Sequence, residues 1–129
     1  MKLARPNAII SILSDEDLSG QEGCLVRMSS NTAVGLVDSA AAIPFGLLLT
    51  AGKTGERVSV AIAAGGLAGT VRVKLAGTVY IGSQLQLTAD GRAIADLGEN
   101  SRVLIGIALE PGVTNELIEA VLFRPVTLT

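Results

Sequence analysis

The segment Gly52-Lys53-Thr54 is the part of the chain that most resembles a site for chemistry, because Gly-Lys-Thr ends the phosphate-binding loop of many nucleotide-binding proteins. That loop has four residues between its first glycine and the Gly-Lys pair, so that successive backbone N–H groups surround the phosphate. Here Gly46 and Gly52 are separated by five residues. After Gly55 the side chains alternate as in a strand, whereas the phosphate loop must lead into a helix. The sequence therefore predicts a hairpin turn at this segment and no nucleotide site.

The side chains most used in catalysis are scarce in this chain. It has no histidine, so neither a Ser-His-Asp triad nor a histidine-based metal site can form. We interpret the single cysteine, Cys24, as a small buried hydrophobe on a strand, since no histidine is present to activate its thiol. Carboxylates cluster at residues 15–17 and at Glu116 and Glu119, in settings typical of solvated surface charge. We therefore expect no catalytic residue, no metal and no cofactor, and hence no enzyme.

Charge and hydropathy argue against two classes of binding partner, nucleic acids and membranes. The formal net charge is -2, the ten basic residues are spread along the chain, and aromatic residues make up 2% of the sequence. Nucleic-acid binding needs clustered cations or stacking aromatics, so we expect none. Residues 40–49 form the longest apolar run, which is far shorter than the roughly 20 residues of a membrane helix. We expect a protein made in the cytoplasm, without a signal peptide or a membrane partner, whose low net charge favours self-association.

Most of the chain consists of short runs of Val, Ile and Leu separated by glycine-containing turns, which is typical of β proteins. Because turn signals recur about every ten residues, we predict an all-β fold, a single small β-barrel or β-sandwich over residues 22–129. Residues 1–21 have a different, polar and acidic character, and we predict an N-terminal arm with one possible strand at residues 9–13. The other predicted strands are residues 23–28, 33–37, 45–50, 56–63, 70–76, 84–88, 92–96, 103–109 and 116–124.

Three patterns predict details of the strands. Residues 57–62 and 71–75 alternate, so each strand is expected to have one buried and one solvated face. The buried faces are expected to carry Val58, Val60 and Ile62 in the first strand and Val71, Val73 and Leu75 in the second, with Ala61 on a solvated face. Asp90-Gly91 fits a two-residue type I′ hairpin turn, which sets Leu87 opposite Ile94. Residues 103–109 and 117–123 are apolar on both faces. They are therefore either central strands of a sheet or strands that another subunit covers.

Lys53 also permits a second interpretation. In swinging-arm carrier domains, which are small, all-β and low in aromatic residues, a lysine at a hairpin tip carries biotin or lipoate. The flanking Gly52 and Thr54 do not match the Met-Lys-Met or Asp-Lys-Ala settings of those families. A carrier or ligand-binding module with a modified lysine therefore stands as an alternative function, and a plain oligomeric structural module as a further one.

The order of strands and turns carries a family resemblance. It lies in the segments AVGLV (33–37), GERVSV (55–60), VKLAGTV (73–79), DGR (90–92), IGIALE (105–110) and ELIEAVL (116–122). This run resembles that of the small tailed-phage capsid decoration, or cement, proteins over roughly residues 33–123. The resemblance implies a β-barrel or β-sandwich on the outer surface of a phage head. There it would clamp neighbouring major capsid protein subunits, commonly as a homotrimer at three-fold positions.

Contact residues cannot be transferred by motif, because the segment before Gly23 matches no family feature. From residue types alone, we predict that the arm contacts the capsid, and its expected anchors are Lys2, Leu3, Arg5 and Pro6. Exposed aromatic and arginine side chains are typical anchors of protein interfaces. We therefore predict that contact between subunits is made by Tyr80, Phe123, Arg124 and Pro125.

Overall fold

The structure is a computed structural model that describes residues 9–62 and 70–129. These residues form ten strands and no helix, which confirms the predicted all-β fold class. The strands are β1 (Ile9–Ser14), β2 (Leu25–Met28), β3 (Ala33–Leu36), β4 (Gly46–Thr50), β5 (Arg57–Ile62), β6 (Val71–Lys74), β7 (Gln84–Leu87), β8 (Ala93–Ala95), β9 (Arg102–Ala108) and β10 (Leu117–Leu128).

The first five strands form a closed barrel in the order β1-β3-β2-β4-β5. It closes because β1 pairs antiparallel with β5 on one side and parallel with β3 on the other. Its interior is filled by aliphatic side chains, including those of Val26, Val34, Leu48 and Val60. Each of the five strands therefore has two neighbours, and β1 contacts β3 through Leu13 and Ser14.

The other five strands form a sheet in the order β6-β10-β9-β7-β8. Its two edge strands approach each other at a bridge between Leu75 and Ala93, so the sheet curves into a half-barrel. The larger core lies between this sheet and the barrel, because Leu25 and Leu47 of the barrel pack in one cluster with Leu85 and Ile118 of the sheet. The two sheets therefore share one core, while the interior of the barrel forms a second cluster.

Gly23 joins the two sheets through its backbone. Its N–H donates to the Leu48 carbonyl at 2.8 Å, and its own carbonyl accepts from the Lys74 N–H at 2.8 Å. Its φ of +86° is in the left-handed region, where a side chain is unfavourable. A Cβ at this position would overlap Leu117 Cδ2 and would lie 3.2 Å from the Arg72 carbonyl oxygen. Glycine is thus required at this junction by both conformation and space.

Most of the predicted arm belongs to the barrel. Residues 9–14 are β1, and Leu18, which is 1% exposed, packs in the barrel core. The Ser14 N–H and the Leu18 N–H donate to carbonyls of the β4–β5 loop, at Glu56 and Gly52. Of residues 1–21, only residues 1–8 are left for an arm, and these lie outside the described residues.

The strands that are apolar on both faces are central strands. β9 lies between β10 and β7, and β10 pairs with both β9 and β6. This agrees with the first of the two interpretations of residues 103–109 and 117–123. β10 continues past the predicted end at Arg124 to Leu128, and its register shifts between Leu122 and Val126, where Pro125 cannot donate a ladder hydrogen bond.

The predicted two-residue turn at Asp90-Gly91 is wrong. Leu87 pairs with Ala93 and not with Ile94, so the loop has one residue more and comprises residues 89–91. The reason is local hydrogen bonding: the Arg92 N–H donates to the Thr88 hydroxyl at 3.1 Å, and the Thr88 N–H donates to the Arg92 carbonyl at 3.0 Å. Only Gly91, at φ +84°, adopts the left-handed conformation, as expected for a three-residue hairpin.

This hairpin is expected to make stability depend on pH in the acid range. A hydrogen bond from the Arg92 guanidinium, supported by one from the Thr88 hydroxyl, lowers the pKa of Asp90 to about 2. Because the unfolded carboxyl has a pKa of about 3.9, the ionised form stabilises the folded state at neutral pH. That contribution is expected to be lost as the pH falls from about 4 to about 2.

Urea unfolding at a series of pH values tests this expectation. The free energy of unfolding of the wild type should fall more steeply with acidification below about pH 4 than that of Asp90→Asn, which has no carboxyl to protonate. Parallel slopes for the two proteins across this window would show that the Asp90–Arg92 pair does not contribute to stability.

Candidate functional site

Cys24 lies directly before β2 and is buried, as predicted, although it is not within the strand itself. Its Sγ donates to Gln21 Oε1 at 3.5 Å. Burial raises the pKa of its thiol, which disfavours the reactive thiolate. The environment of Cys24 is therefore that of a core side chain.

The clustered carboxylates accept hydrogen bonds that hold loops in place. Asp17 Oδ1 accepts from the Ser19 hydroxyl at 2.6 Å and from the Ser19 N–H at 3.0 Å, and these bonds lower the pKa of Asp17. Glu16 accepts from the Leu36 N–H, and Glu116 accepts from the Val113 N–H at 2.7 Å. Residues 9–62 and 70–129 contain no group of three potential ligands that could hold a metal ion. The same residues contain no helix that could cross a membrane.

Lys53 lies on the exposed turn between β4 and β5. The Ser14 hydroxyl donates to its carbonyl at 2.6 Å, and its N–H donates to Glu56 Oε1 at 2.6 Å. The chain then enters β5 at Arg57, so the turn has the hairpin geometry predicted for it and not that of a phosphate loop. The carrier interpretation of Lys53 stays a prediction.

Apolar side chains are exposed on and directly after β9 and on β10. We define the β9–β10 face by three exposed side chains: Ile107 of β9, Leu109 directly after β9, and Val126 of β10. Ile107 pairs with the half-buried Val121, and Val126 pairs with Leu104, which is buried. Since an antiparallel sheet normally presents polar side chains to water, this face is a candidate protein interface. These strands are central, as the first interpretation holds. That another subunit covers them stays a prediction.

The predicted subunit-contact residues border this face at two points. Tyr80, 70% exposed, lies on the loop between β6 and β7, which the Gly82 N–H fixes to the Ala108 carbonyl at 2.8 Å. Phe123, Arg124 and Pro125 form the irregular part of β10 opposite the middle of β9. Tyr80 therefore lies beside the end of β9, whereas the Phe123 segment lies beside its centre.

Sequence reasoning missed two exposed neighbours of Tyr80. Ile81 is 69% exposed, and Val113 is 53% exposed on a loop that the Val79–Gly112 hydrogen bonds bring next to it. The sequence does contain a signal for Ile81: an apolar pair at residues 80–81 stands directly before a turn glycine, where side chains are usually exposed. The predicted capsid anchors Lys2, Leu3, Arg5 and Pro6 lie outside the described residues.

A groove of about 410 Å³ lies between the barrel and the half-barrel. Its floor includes the buried side chains of Leu48, Ala61 and Val71, and its sides include Ile9 and Leu117. Its polar rim consists of Glu22, Thr70, Arg72 and Glu119.

The rim side chains of the groove are partly fixed by hydrogen bonds. Thr70 Oγ1 donates to Glu119 Oε2 at 2.6 Å. Arg72 donates to the Leu117 carbonyl at 3.1 Å and forms an ion pair with Glu110 at 3.6 Å. Sequence reasoning missed the groove because its walls come from strands far apart in the chain, and no local pattern signals their meeting.

Comparison with known proteins gives a fold likeness. No protein-family model matches the chain, and no curated protein matches its sequence. Among solved structures, the N base of the head fibre protein gp8.5 of bacteriophage phi29 superposes with a TM-score of 0.66 at 16% sequence identity. The match covers 90% of this chain and 93% of that one. The chain thus shares its fold, over nearly its whole length, with the base of a bacteriophage head fibre.

Proposed function

We propose that this protein is a structural component of a phage virion. In this proposal it binds the outer surface of the head and stabilises the capsid by clamping neighbouring major capsid protein subunits. The observation that carries the proposal is the fold likeness to the phi29 head fibre base, which extends over 93% of that chain. The resemblance of residues 33–123 to capsid decoration proteins supports it from the order of strands and turns.

The surface of the described residues suits a function based on contact area. Two sheets with a shared core make a rigid body, and apolar side chains are exposed on the β9–β10 face and beside Tyr80. Covering such patches with a protein partner is favourable, because apolar surface is removed from water. On a symmetric head, many copies of a modest contact add up to firm attachment.

We further propose that the protein acts as a homotrimer, with subunit contacts made by Tyr80 and the Phe123-Arg124-Pro125 segment. Replacing Tyr80 by alanine should leave the melting temperature of the isolated subunit nearly unchanged, because its side chain is 70% exposed. At a subunit interface the loss of an aromatic anchor costs about 2 kcal/mol or more, so the dissociation constant should rise about 30-fold for each interface of the trimer.

Analytical ultracentrifugation over a range of concentrations measures this change. Ile43→Ala is the matched control, since Ile43 is 58% exposed and lies on another loop. If Tyr80→Ala assembled as tightly as the wild type, or if the wild type stayed monomeric throughout, Tyr80 would have no place at a subunit interface.

The arm is the proposed capsid anchor. Deleting residues 1–7 leaves the whole of β1 in the chain, so the fold should be retained. Attachment to heads should weaken, because the deletion removes Lys2, Leu3, Arg5 and Pro6. The fraction bound at a subsaturating concentration measures the effect, and equal binding by the deleted and intact chains would remove the arm from the proposal.

Co-sedimentation with expanded, undecorated heads tests the function itself. We expect binding that saturates at a fixed ratio of about one copy per major capsid subunit, as trimers on three-fold positions require. Saturated heads should also melt at a higher temperature than bare heads, since a ligand of the assembled lattice stabilises it. Absence of co-sedimentation, together with a mass increase on Lys53 in cells, would instead favour the carrier alternative.

A further inference from the structure

The groove between the barrel and the half-barrel combines an apolar floor with an acidic rim. Leu48 and Ala61 are fully buried beneath it, and Leu117 is 42% exposed at its side. On the rim, the carboxylates of Glu22 and Glu119 outnumber the single cation of Arg72, which already pairs with Glu110. An occupant with one aliphatic side chain between cations therefore matches the groove in both shape and charge.

The chain carries such a segment next to the groove. Residues 1–8 read MKLARPNA: Leu3 stands between Lys2 and Arg5, and the segment has no carboxylate. It leads directly into Ile9, which lines the groove and pairs with Ala61 of the floor. An extended chain spans about 3.3–3.6 Å per residue, so the six residues from Leu3 to Ala8 reach up to about 20 Å. That length is sufficient to place Leu3 over any part of the groove.

We propose that residues 1–8 bind in this groove of the same molecule, with Leu3 on the apolar floor and Lys2 and Arg5 at the rim carboxylates of Glu22 and Glu119. The segment then acts as a strap across the junction of the two sheets. Attachment of the same residues to a partner requires their release from the groove. The inference does not depend on the proposed function, because its test uses the isolated protein.

Disulfide trapping in the full chain tests the proposal. Cys24 is replaced by alanine, and Leu3→Cys is combined either with Leu117→Cys in the groove or with Ser11→Cys on the exposed side of β1. In an arm without a preferred site, the shorter loop from residue 3 to residue 11 closes more readily. Docking in the groove reverses this order, so we expect the 3–117 disulfide to form about tenfold faster or more within one molecule.

Peptide mapping under dilute, non-reducing conditions gives the result. Faster closure of the 3–11 pair would overturn the proposal, and a predominance of disulfides between two molecules would overturn binding to the same chain. A second measurement uses the protein with its native Cys24 and without engineered cysteines. If Glu22 holds Lys2 at the rim, trypsin should cleave the Lys2–Leu3 bond about two- to fivefold faster in Glu22→Lys than in the wild type. Equal cleavage rates would contradict the role of the acidic rim.

Discussion

Replacing Gly23 by alanine is expected to destabilise the folded protein by about 2–5 kcal/mol, because the new Cβ combines a left-handed conformation with steric overlap. Gly23 has φ +86°, and its Cβ would overlap Leu117 Cδ2. The backbone on both sides is fixed by hydrogen bonds to Leu48 and Lys74, so the chain cannot move away without breaking the junction between the sheets.

Gly55 provides the matched control for this change. It has nearly the same backbone conformation, with φ +85°, but no heavy atom lies within 4 Å of a Cβ built on it. Gly55→Ala should therefore show the conformational cost alone, about 1–2 kcal/mol. Urea unfolding of the two variants measures the difference. Equal losses of stability would mean that the space around Gly23 does not restrict the residue there.

The second large effect is expected at Leu25. Its side chain is fully buried in the shared core, its N–H donates to the Gly91 carbonyl at 2.7 Å, and its carbonyl accepts from the Val37 N–H at 3.2 Å. Leu25→Ala should cost about 2–5 kcal/mol, because it leaves a cavity where the barrel meets the half-barrel. Leu97→Ala should change stability by less than about 0.5 kcal/mol, since Leu97 is 63% exposed.

The form of the unfolding curve carries a further expectation for Leu25→Ala. Because one core joins both sheets, the variant should still unfold in a single transition at a lower urea concentration. Circular dichroism and calorimetry of the same samples measure this. Two separate transitions would show that the barrel and the half-barrel are independent folding units.

The alternating strands were the most predictable part of the fold. Val58 and Val60 of β5 and Val71 and Val73 of β6 are buried, as the period-two pattern predicted. Ala61 is buried as well, although the pattern assigned it to the solvated face of β5. The reason is tertiary: the half-barrel covers that end of β5, and a local pattern carries no information about a second sheet.

Barrel closure and register were beyond the reach of local patterns. β1 closes the barrel by pairing with β5, whose residues lie more than forty positions later in the chain, as in the Ile10–Val60 pair. Such pairing is decided by the whole fold and not by the composition of β1, which therefore seemed to belong to an arm. The hairpin register depended on one side chain, the hydroxyl of Thr88, which extended the loop by one residue.

The candidate surfaces were predictable only where a single residue type was informative. Tyr80 was singled out as an exposed aromatic residue, and it is 70% exposed. The groove and the β9–β10 face required knowledge of which strands are neighbours, because Leu48, Val71 and Leu117 meet only in the folded chain.

Electron cryo-microscopy of heads mixed with saturating protein tests the central claim most directly. The account predicts additional density on the outer surface of the head, arranged around three-fold positions and bridging neighbouring major capsid protein subunits. Heads that remain bare at saturating protein concentration, or density that contacts one capsid subunit without reaching its neighbour, would contradict the proposal that this protein clamps the capsid lattice.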